Sequence, residues 1–288
     1  MVTREYLSDT WKLNENKVTT DKVDEASLPS RQADRHALVA GLENLCISGS
    51  GQFSKAGLKL LIEQIKGSET YQRNNCTNIC IVDLREENHF LIGDHEYVHT
   101  RDSVKGESVE QLIDNQKKLI NGTNFRLEGD VVRELGFEYA LVPIKDNAIA
   151  QGNRAEPLIN FFRTLKSHTW LHFHCRIGQG RTTAAMEIYD MLKNSMPGKW
   201  GSVVPLSAIS IRHLLFGGYP LMILQSKDKD DGLYHYQKDY GLFLATAYIF
   251  LKEPKGFSSG ISWTEWLKSN PRKGDLERKY RLMAGCSE

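Results

Sequence analysis

The nine residues His174 to Thr182, His-Cys-Arg-Ile-Gly-Gln-Gly-Arg-Thr, constrain this chain more than any other stretch. A cysteine and an arginine separated by five residues, with two glycines among them, let the backbone wrap around a tetrahedral oxyanion. Just before the loop, Trp170 to His174 reads as a buried strand. Just after it, Ala185, Ile188, Tyr189 and Leu192 fall at i, i+3, i+4 and i+7, the apolar stripe of a helix. A strand, a glycine-bearing loop and a helix N-terminus together make an anion site, because free N–H groups and the helix dipole point at the ligand. In that setting Cys175 is the candidate nucleophile, reacting as a thiolate. Arg181 supplies a planar fork for two phosphate oxygens, and Arg176, Ile177, Gly178, Gln179 and Gly180 supply the lining backbone. The same loop geometry serves sulfur-transfer and arsenate-handling proteins. The natural reading is a cysteine-based phosphatase.

The rest of the composition narrows the class. Lys plus Arg number 37 against 36 Asp plus Glu, so the net charge of +1 gives no global pull toward nucleic acid, and any attraction for a polyanion must be local. No uninterrupted apolar run approaches a membrane span, and the first residues lack the apolar core of a secretory signal. No membrane insertion is expected, and monomer is the default. As written the chain looks cytoplasmic, with export or delivery into a host cell left open. Five cysteines (Cys46, Cys76, Cys80, Cys175 and Cys286) form no disulfide framework in 288 residues. Cys76 and Cys80 lack a second ligand pair, so no metal is expected, and no cofactor.

Along the chain, residues 1–35 are polar and weakly periodic and read as an N-terminal arm, with one phosphatase domain over 36–288. Ser54 is placed to cap a helix carrying Leu58, Leu61, Ile62 and Ile65. Residues 79–84 and 137–144 read as strands; Val109, Leu112 and Ile113 open a helix. Pro157 sits near the start of another, with Leu158, Phe161, Phe162 and Leu165 inward. After the loop's helix come residues 205–215, a Gly217-Gly218 break and a Lys/Asp-rich stretch at 226–231, and helices are expected at 240–251 and 263–267. Strands alternating with helices imply an α/β architecture. Residues 85–135 interrupt that alternation and are the place for a small β-rich subdomain.

Phosphate-ester cleavage also needs a carboxylic acid to protonate the departing oxygen. Asp146 is the best candidate, because it follows the strand 137–144 and loops at the carboxyl ends of neighbouring strands converge. Thr182 can donate a hydrogen bond to the Cys175 sulfur when that sulfur is the leaving group. His174 is expected to orient the loop through hydrogen bonds, or simply to be a satisfied core histidine, as is His172.

Several segments then resemble one family. Trp170 to Cys175, Gly178 to Thr183, Tyr189 to Leu192, Leu45 to Phe53, Ile81 to His89, Phe161 to Leu165, Lys227 to Asp230 and Ser262 to Lys268 look like the protein-tyrosine-phosphatase-like inositol polyphosphate phosphatases, the cysteine phytases. The resemblance spans roughly residues 28–270. It implies a protein-tyrosine-phosphatase-like α/β fold with a small partial β-barrel insertion. It also implies that Asp146 is the general acid, and that Arg31, Asp83, Arg85, Lys227 and Lys229 lie near a polyphosphate substrate. This chain departs from the family in carrying Asn-Ala-Ile after Asp146, and Asp230-Asp-Gly after Lys229.

The function expected from these residues is hydrolysis of phosphate monoesters on myo-inositol polyphosphates, phytate first, through a phosphocysteine. A protein tyrosine phosphatase would usually bring an aromatic recognition loop and a Trp-Pro-Asp acid loop, neither of which is found. A phosphoinositide phosphatase would benefit from lysines in the loop. An inactive phospholigand-binding module would be signalled by loss of the cysteine, the arginine or the acid, and all three are present.

Overall fold

The computed structural model describes residues 38–92, 96–99, 108–120, 125–146, 148–150, 152–196, 204–222 and 232–269. The expected arm, Arg31, Lys227, Lys229 and Cys286 lie outside them. In chain order the elements are β1 (Ile47–Ser50), α1 (Lys55–Gly67), α2 (Glu69–Arg73), β2 (Asn78–Arg85), β3 (His89–Ile92) and β4 (Glu96–His99). Then come α3 (Val109–Ile120), β5 (Phe125–Arg126), α4 (Glu128–Glu134), β6 (Glu138–Ile144), α5 (Glu156–Arg163) and β7 (Thr169–His174). The chain continues through α6 (Gly180–Asn194), α7 (Leu206–Leu215), α8 (Gly232–Lys252) and α9 (Trp263–Ser269). The architecture is α/β, as expected. By their contacts the described residues fall into two compact units, one drawn from 46–148 and 164–182, the other from 38–45, 149–163 and the described residues from Thr183 on.

The first unit is built on a four-stranded parallel sheet in the order β1-β7-β2-β6. Parallel strands covered on both faces read as continuous apolar runs rather than alternating ones. Ile79, Ile81, Val82 and Leu84 of β2 are all buried, as is every residue of β7. Ser54 opens α1 as expected, its hydroxyl accepting from the Gly57 N–H at 3.1 Å. Leu58, Leu61, Ile62 and Ile65 then point inward against Ile79, Ile81 and Trp170. His172 is the satisfied core histidine: its ring nitrogens meet the Ser48 and Ser50 hydroxyls at 2.8 and 3.0 Å. Burial, reinforced by His174, holds it neutral with a pKa near 3.

Residues 89–126 contribute a three-stranded antiparallel sheet, β4-β3-β5, with α3 between its second and third strands. Among the described residues, this sheet alone stands where the partial β-barrel was expected.

The second unit is helical in its described residues. Trp263 and Trp266 of α9 stack at 5.8 Å and pack edge-on against Phe250 of α8. Asp190 of α6 is fully buried between Arg212 and His213 of α7. Burial opposes its charge, but Arg212 outweighs that and holds the carboxyl near 2. Helix α5 is shorter than its apolar pattern suggested. It ends at Arg163, so Leu165 falls outside it, and Ile159 rather than Phe161 joins Leu158 and Phe162 in the core.

Replacing Ser54 by Ala removes the α1 cap, and we expect a loss of about 1 kcal/mol. The check is a lower urea midpoint with an unchanged slope.

Candidate active site

The carboxyl ends of the four parallel strands bring together the turns that carry chemistry, as expected for an open α/β sheet. Ser50 and Asp83 both pair with His174 across the sheet, so the turns after β1 and β2 flank the loop that follows β7. Lys145 and Asp146 follow β6. All of these residues belong to the first unit.

The Cys175 loop is seated by backbone. The Gln52 N–H donates to the Arg176 carbonyl at 3.2 Å. Gly178 takes φ +82°, and a Cβ there would lie 2.4 Å from Gly51 N and 2.6 Å from Ser50 C, atoms of a neighbouring main chain. Only glycine satisfies both the left-handed conformation and that approach. The turn aims the Gly178 N–H at the Cys175 sulfur, 3.3 Å away. Cys175 itself is 4% exposed. Arg176 and Ile177 face outward, Ile177 at 51% exposure.

Arg181 opens the first turn of α6 and is 2% exposed. Glu87, just after β2, grips it with two hydrogen bonds of 2.8 Å, one to each terminal nitrogen. Nη1 also donates to the Ile144 carbonyl at 3.0 Å, while Nη2 lies 3.2 Å from Asp146 Oδ1. Arg181 Nε is buried without a partner among the described residues, leaving one N–H of the fork for an anion. Burial opposes charge on both partners. The bonds from Arg181, with Arg85 nearby, nevertheless hold the Glu87 carboxyl at about 2, and Glu87, Cys175 and Asp146 raise Arg181 above its ordinary value.

Beneath the loop lies a second buried group of charges. His174 Nε2 sits 2.7 Å from Glu128 Oε1. His89 Nε2 lies 2.7 Å from Asp83 Oδ2 and 3.5 Å from Glu128 Oε2, and its Nδ1 meets the Glu87 carbonyl at 2.8 Å. Burial disfavours an imidazolium at His89, yet Asp83 overrides both burial and Arg85 and lifts its pKa to about 9. Asp83 is lowered despite burial by His89, and Glu128 well below the carboxylate range, chiefly by His174.

Asp83, His89 and Glu128 bring ligand-type atoms within 4.8 Å of one another. Their shortest contacts are those of a proton shared between nitrogen and oxygen, and Tyr139 and Gln52 already donate to the two carboxylates at 2.7 and 3.0 Å. The set therefore closes on itself as ion pairs rather than presenting open metal ligands.

The structure brings Cys175, Arg181, Asp146 and His174 together, with Asp146 67% exposed at the outer end. Three further expected residues stand in buried surroundings. Asp83 and Arg85 are 0% and 1% exposed and face inward, because β2 is an interior strand and Tyr139 of β6 and Gln52 claim their polar ends. Thr182, inside the first turn of α6, has a buried hydroxyl without a partner among the described residues. The Gly178 N–H donates to the Cys175 sulfur here. Sequence reading did not single out Glu87, Glu128, His89 and Gln52. Glu87 and His89 stand in the Ile81–His89 segment already noted, whereas nothing local marks Glu128.

A loop of this form at the carboxyl end of a parallel sheet makes an oxyanion site of the kind that cysteine phosphatases share with sulfur-transfer and arsenate-handling proteins. Residues 93–193 match the model of the PTP-like phytase family, described as inositol hexakisphosphate. A PTP-like phytase structure from Bdellovibrio bacteriovorus superposes with a TM-score of 0.60 at 27% identity, covering 78% of this chain and 86% of that one. The PTP-like myo-inositol phosphatase from Mitsuokella multacida, in complex with myo-inositol-(1,3,4,5)-tetrakisphosphate, gives 0.66 at 25% identity, covering 79% and 41%. Among curated proteins, effector protein hopD2 of Pseudomonas syringae pv. tomato is 30% identical over 163 residues, 56% of this chain and 30% of that protein. The chain thus spans under a third of that relative's length. These likenesses support the protein-tyrosine-phosphatase-like inositol polyphosphate phosphatase family.

Replacing Gly178 by Ala should push the loop off the Ser50–Gly51 backbone. We expect binding of orthovanadate, a tetrahedral oxyanion probe, to weaken at least tenfold by calorimetry. The ion pairs also set a pH response. Glu87, held near 2, contributes stability above its unfolded value of 4.5 that is lost as pH falls toward 2. His89, held near 9, contributes stability below 6.5 that is lost as pH rises through 9. Thermal midpoints should therefore be highest between those limits, and His89→Gln should reduce the alkaline slope.

Proposed function

We propose that the chain is a phosphoric monoester hydrolase that removes phosphates from myo-inositol polyphosphates, inositol hexakisphosphate among them, through a phosphocysteine. The observation that carries this reading is the convergence on Arg181 of the loop behind Cys175, the Glu87 clamp and the Asp146 carboxylate. A phosphoryl group in transit spreads charge over three equatorial oxygens and needs positive, preorganised donors there. The loop N–H groups of 176–181 and the unpartnered Arg181 Nε are such donors.

Cys175 Sγ attacks phosphorus in line as the ester P–O bond breaks. Asp146, protonated, gives its proton to the departing alcohol oxygen. The carboxylate then takes a proton from water as that water attacks the phosphocysteine, the S–P bond breaks and inorganic phosphate leaves. The thiolate released is met by the Gly178 N–H. Thr182, whose hydroxyl is buried and unpartnered, is proposed to turn toward the sulfur at that stage. Gln179 and Gly180 contribute through their main chain. Arg31, Lys227 and Lys229 are proposed to hold the substrate's outlying phosphates, and Arg176 to approach from the rim. The family-model match over residues 93–193 and the neighbour complexed with an inositol tetrakisphosphate support the substrate class. The effector relative supports export, with delivery into a host cell as the proposed setting.

The test is phosphate release from inositol hexakisphosphate, a phosphotyrosine peptide and a phosphoinositide in vesicles at equal concentration. We expect fastest release from the soluble inositol phosphate and none with Cys175→Ser. Asp146→Asn should lower kcat about 100- to 10,000-fold while vanadate binding persists. Preference for the peptide or the lipid would overturn the substrate; tight binding without turnover would point to a phospholigand-binding module.

A further inference from the structure

The two buried charge groups beneath the loop are joined by one neutral side chain. Gln52, in the turn between β1 and α1, accepts through Oε1 from Arg85 Nη1 and donates through Nε2 to Glu128 Oε2 at 3.0 Å. Only one amide orientation suits a cation on one side and an anion on the other, so the network fixes it. The Gln52 main-chain N–H meanwhile donates to the Arg176 carbonyl within the loop itself. Beyond Arg85, whose Nε lies 3.5 Å from Glu87 Oε1, stands the clamp on Arg181. Beyond Glu128 stands His174, the residue before Cys175, with His89 behind it.

We propose that Gln52 is a positioning residue for phosphoryl transfer: it couples the Arg85–Glu87–Arg181 chain to the Glu128–His174 pair, and so fixes the phosphate clamp relative to the nucleophile. The proposal rests on the hydrolase reading above. Gln52 touches neither substrate nor reacting atom; it works through its neighbours. Its dipole lies along the field between Arg85 and Glu128, holding both without adding charge. An apolar side chain of similar size would orphan a buried donor and a buried acceptor at once. Arg85 would then be free to draw Glu87 away from Arg181, and Glu128 would lose a restraint that fixes its hold on His174. Small displacements of that kind act on rate more than on binding, since a reacting group misplaced by about 1 Å costs up to about a hundredfold.

The experiment compares the parent chain with Gln52→Leu and Gln52→Glu. Steady-state kinetics on inositol hexakisphosphate, orthovanadate affinity and thermal melting are measured on each from pH 5 to 8. For Gln52→Leu, with cooperative melting retained, we expect kcat to fall about 10- to 100-fold with KM changed less than about threefold. Vanadate should bind at least tenfold more weakly. In Gln52→Glu the introduced carboxyl faces Arg85 and Glu87 from the end of β2, Glu128 from α4, His174 from β7 and His89 from β3. Protonated, it reproduces the amide's two bonds; ionised, it repels Glu128. Its rate relative to the parent should therefore drop as pH rises, a response that a purely structural role would not produce.

A folded Gln52→Leu with the parent's kcat, KM and vanadate affinity would overturn the proposal. If Gln52→Leu does not fold, Gln52→Glu decides, and a rate ratio near one at every pH would overturn it. If the parent releases no phosphate, the substrate reading fails and vanadate decides for Gln52: tenfold weaker binding supports it, equal binding overturns it. A parent that binds no vanadate overturns both.

Discussion

A guanidinium with almost no access to solvent must be neutralised inside the protein, and the site is organised around how that is done for Arg181. Two parallel hydrogen bonds donated to Glu87 fix the plane of the fork, and the carboxylate offsets its charge. Breaking such a pair strands a buried charge, which costs far more than the intact pair contributes. Glu87 must therefore stand beside the first turn of α6, which requires the strand that ends just before it, β2, to lie next to β7. The observed order β1-β7-β2-β6 provides that and places β1 on the other flank. The position of the clamp and the order of the sheet are one constraint seen at two scales.

The loop adds a second requirement of a different kind. Its main chain approaches that of Ser50 and Gly51 too closely for any side chain at Gly178. Backbone thus fixes where the loop lies, while the ion pairs underneath fix what its ends present. The two meet at the turn after β1, where the main chain of Gln52 binds the loop and its side chain binds the charges.

Much of this was legible in the residues themselves. Periodicity around 170–192 and 54–65 locates the elements because burial there follows the helix and strand periods. Cys175, Arg181 and Gly178 announce themselves because a nucleophile, a cation and a tight turn must sit at fixed spacing along a few residues. Asp146 was legible through topology, from its place after a strand. What sequence could not show were contacts made across long separations. Glu128 meets His174 from 46 positions away, and Gln52 meets Glu128 from 76. The partners of Asp83 and Arg85 were hidden for the same reason: only the folded chain brings Tyr139 and Gln52 beside them, from 56 and 33 positions away. Leu165 was misplaced because nothing in the apolar spacing marks the end of α5.

The outward set of Arg176 and Ile177 has a consequence for how such a protein diversifies. In the proposed reaction the anion is met by main-chain amides whose direction does not depend on which side chain is attached, while the exposed Arg176 and Ile177 side chains stand at the rim. Substitution at those positions alters what lies beside the ester without disturbing what holds its phosphate. Lineages can therefore drift at the mouth while their inner frame stays under selection, and related chains can come to accept different alcohols around one unchanged reaction.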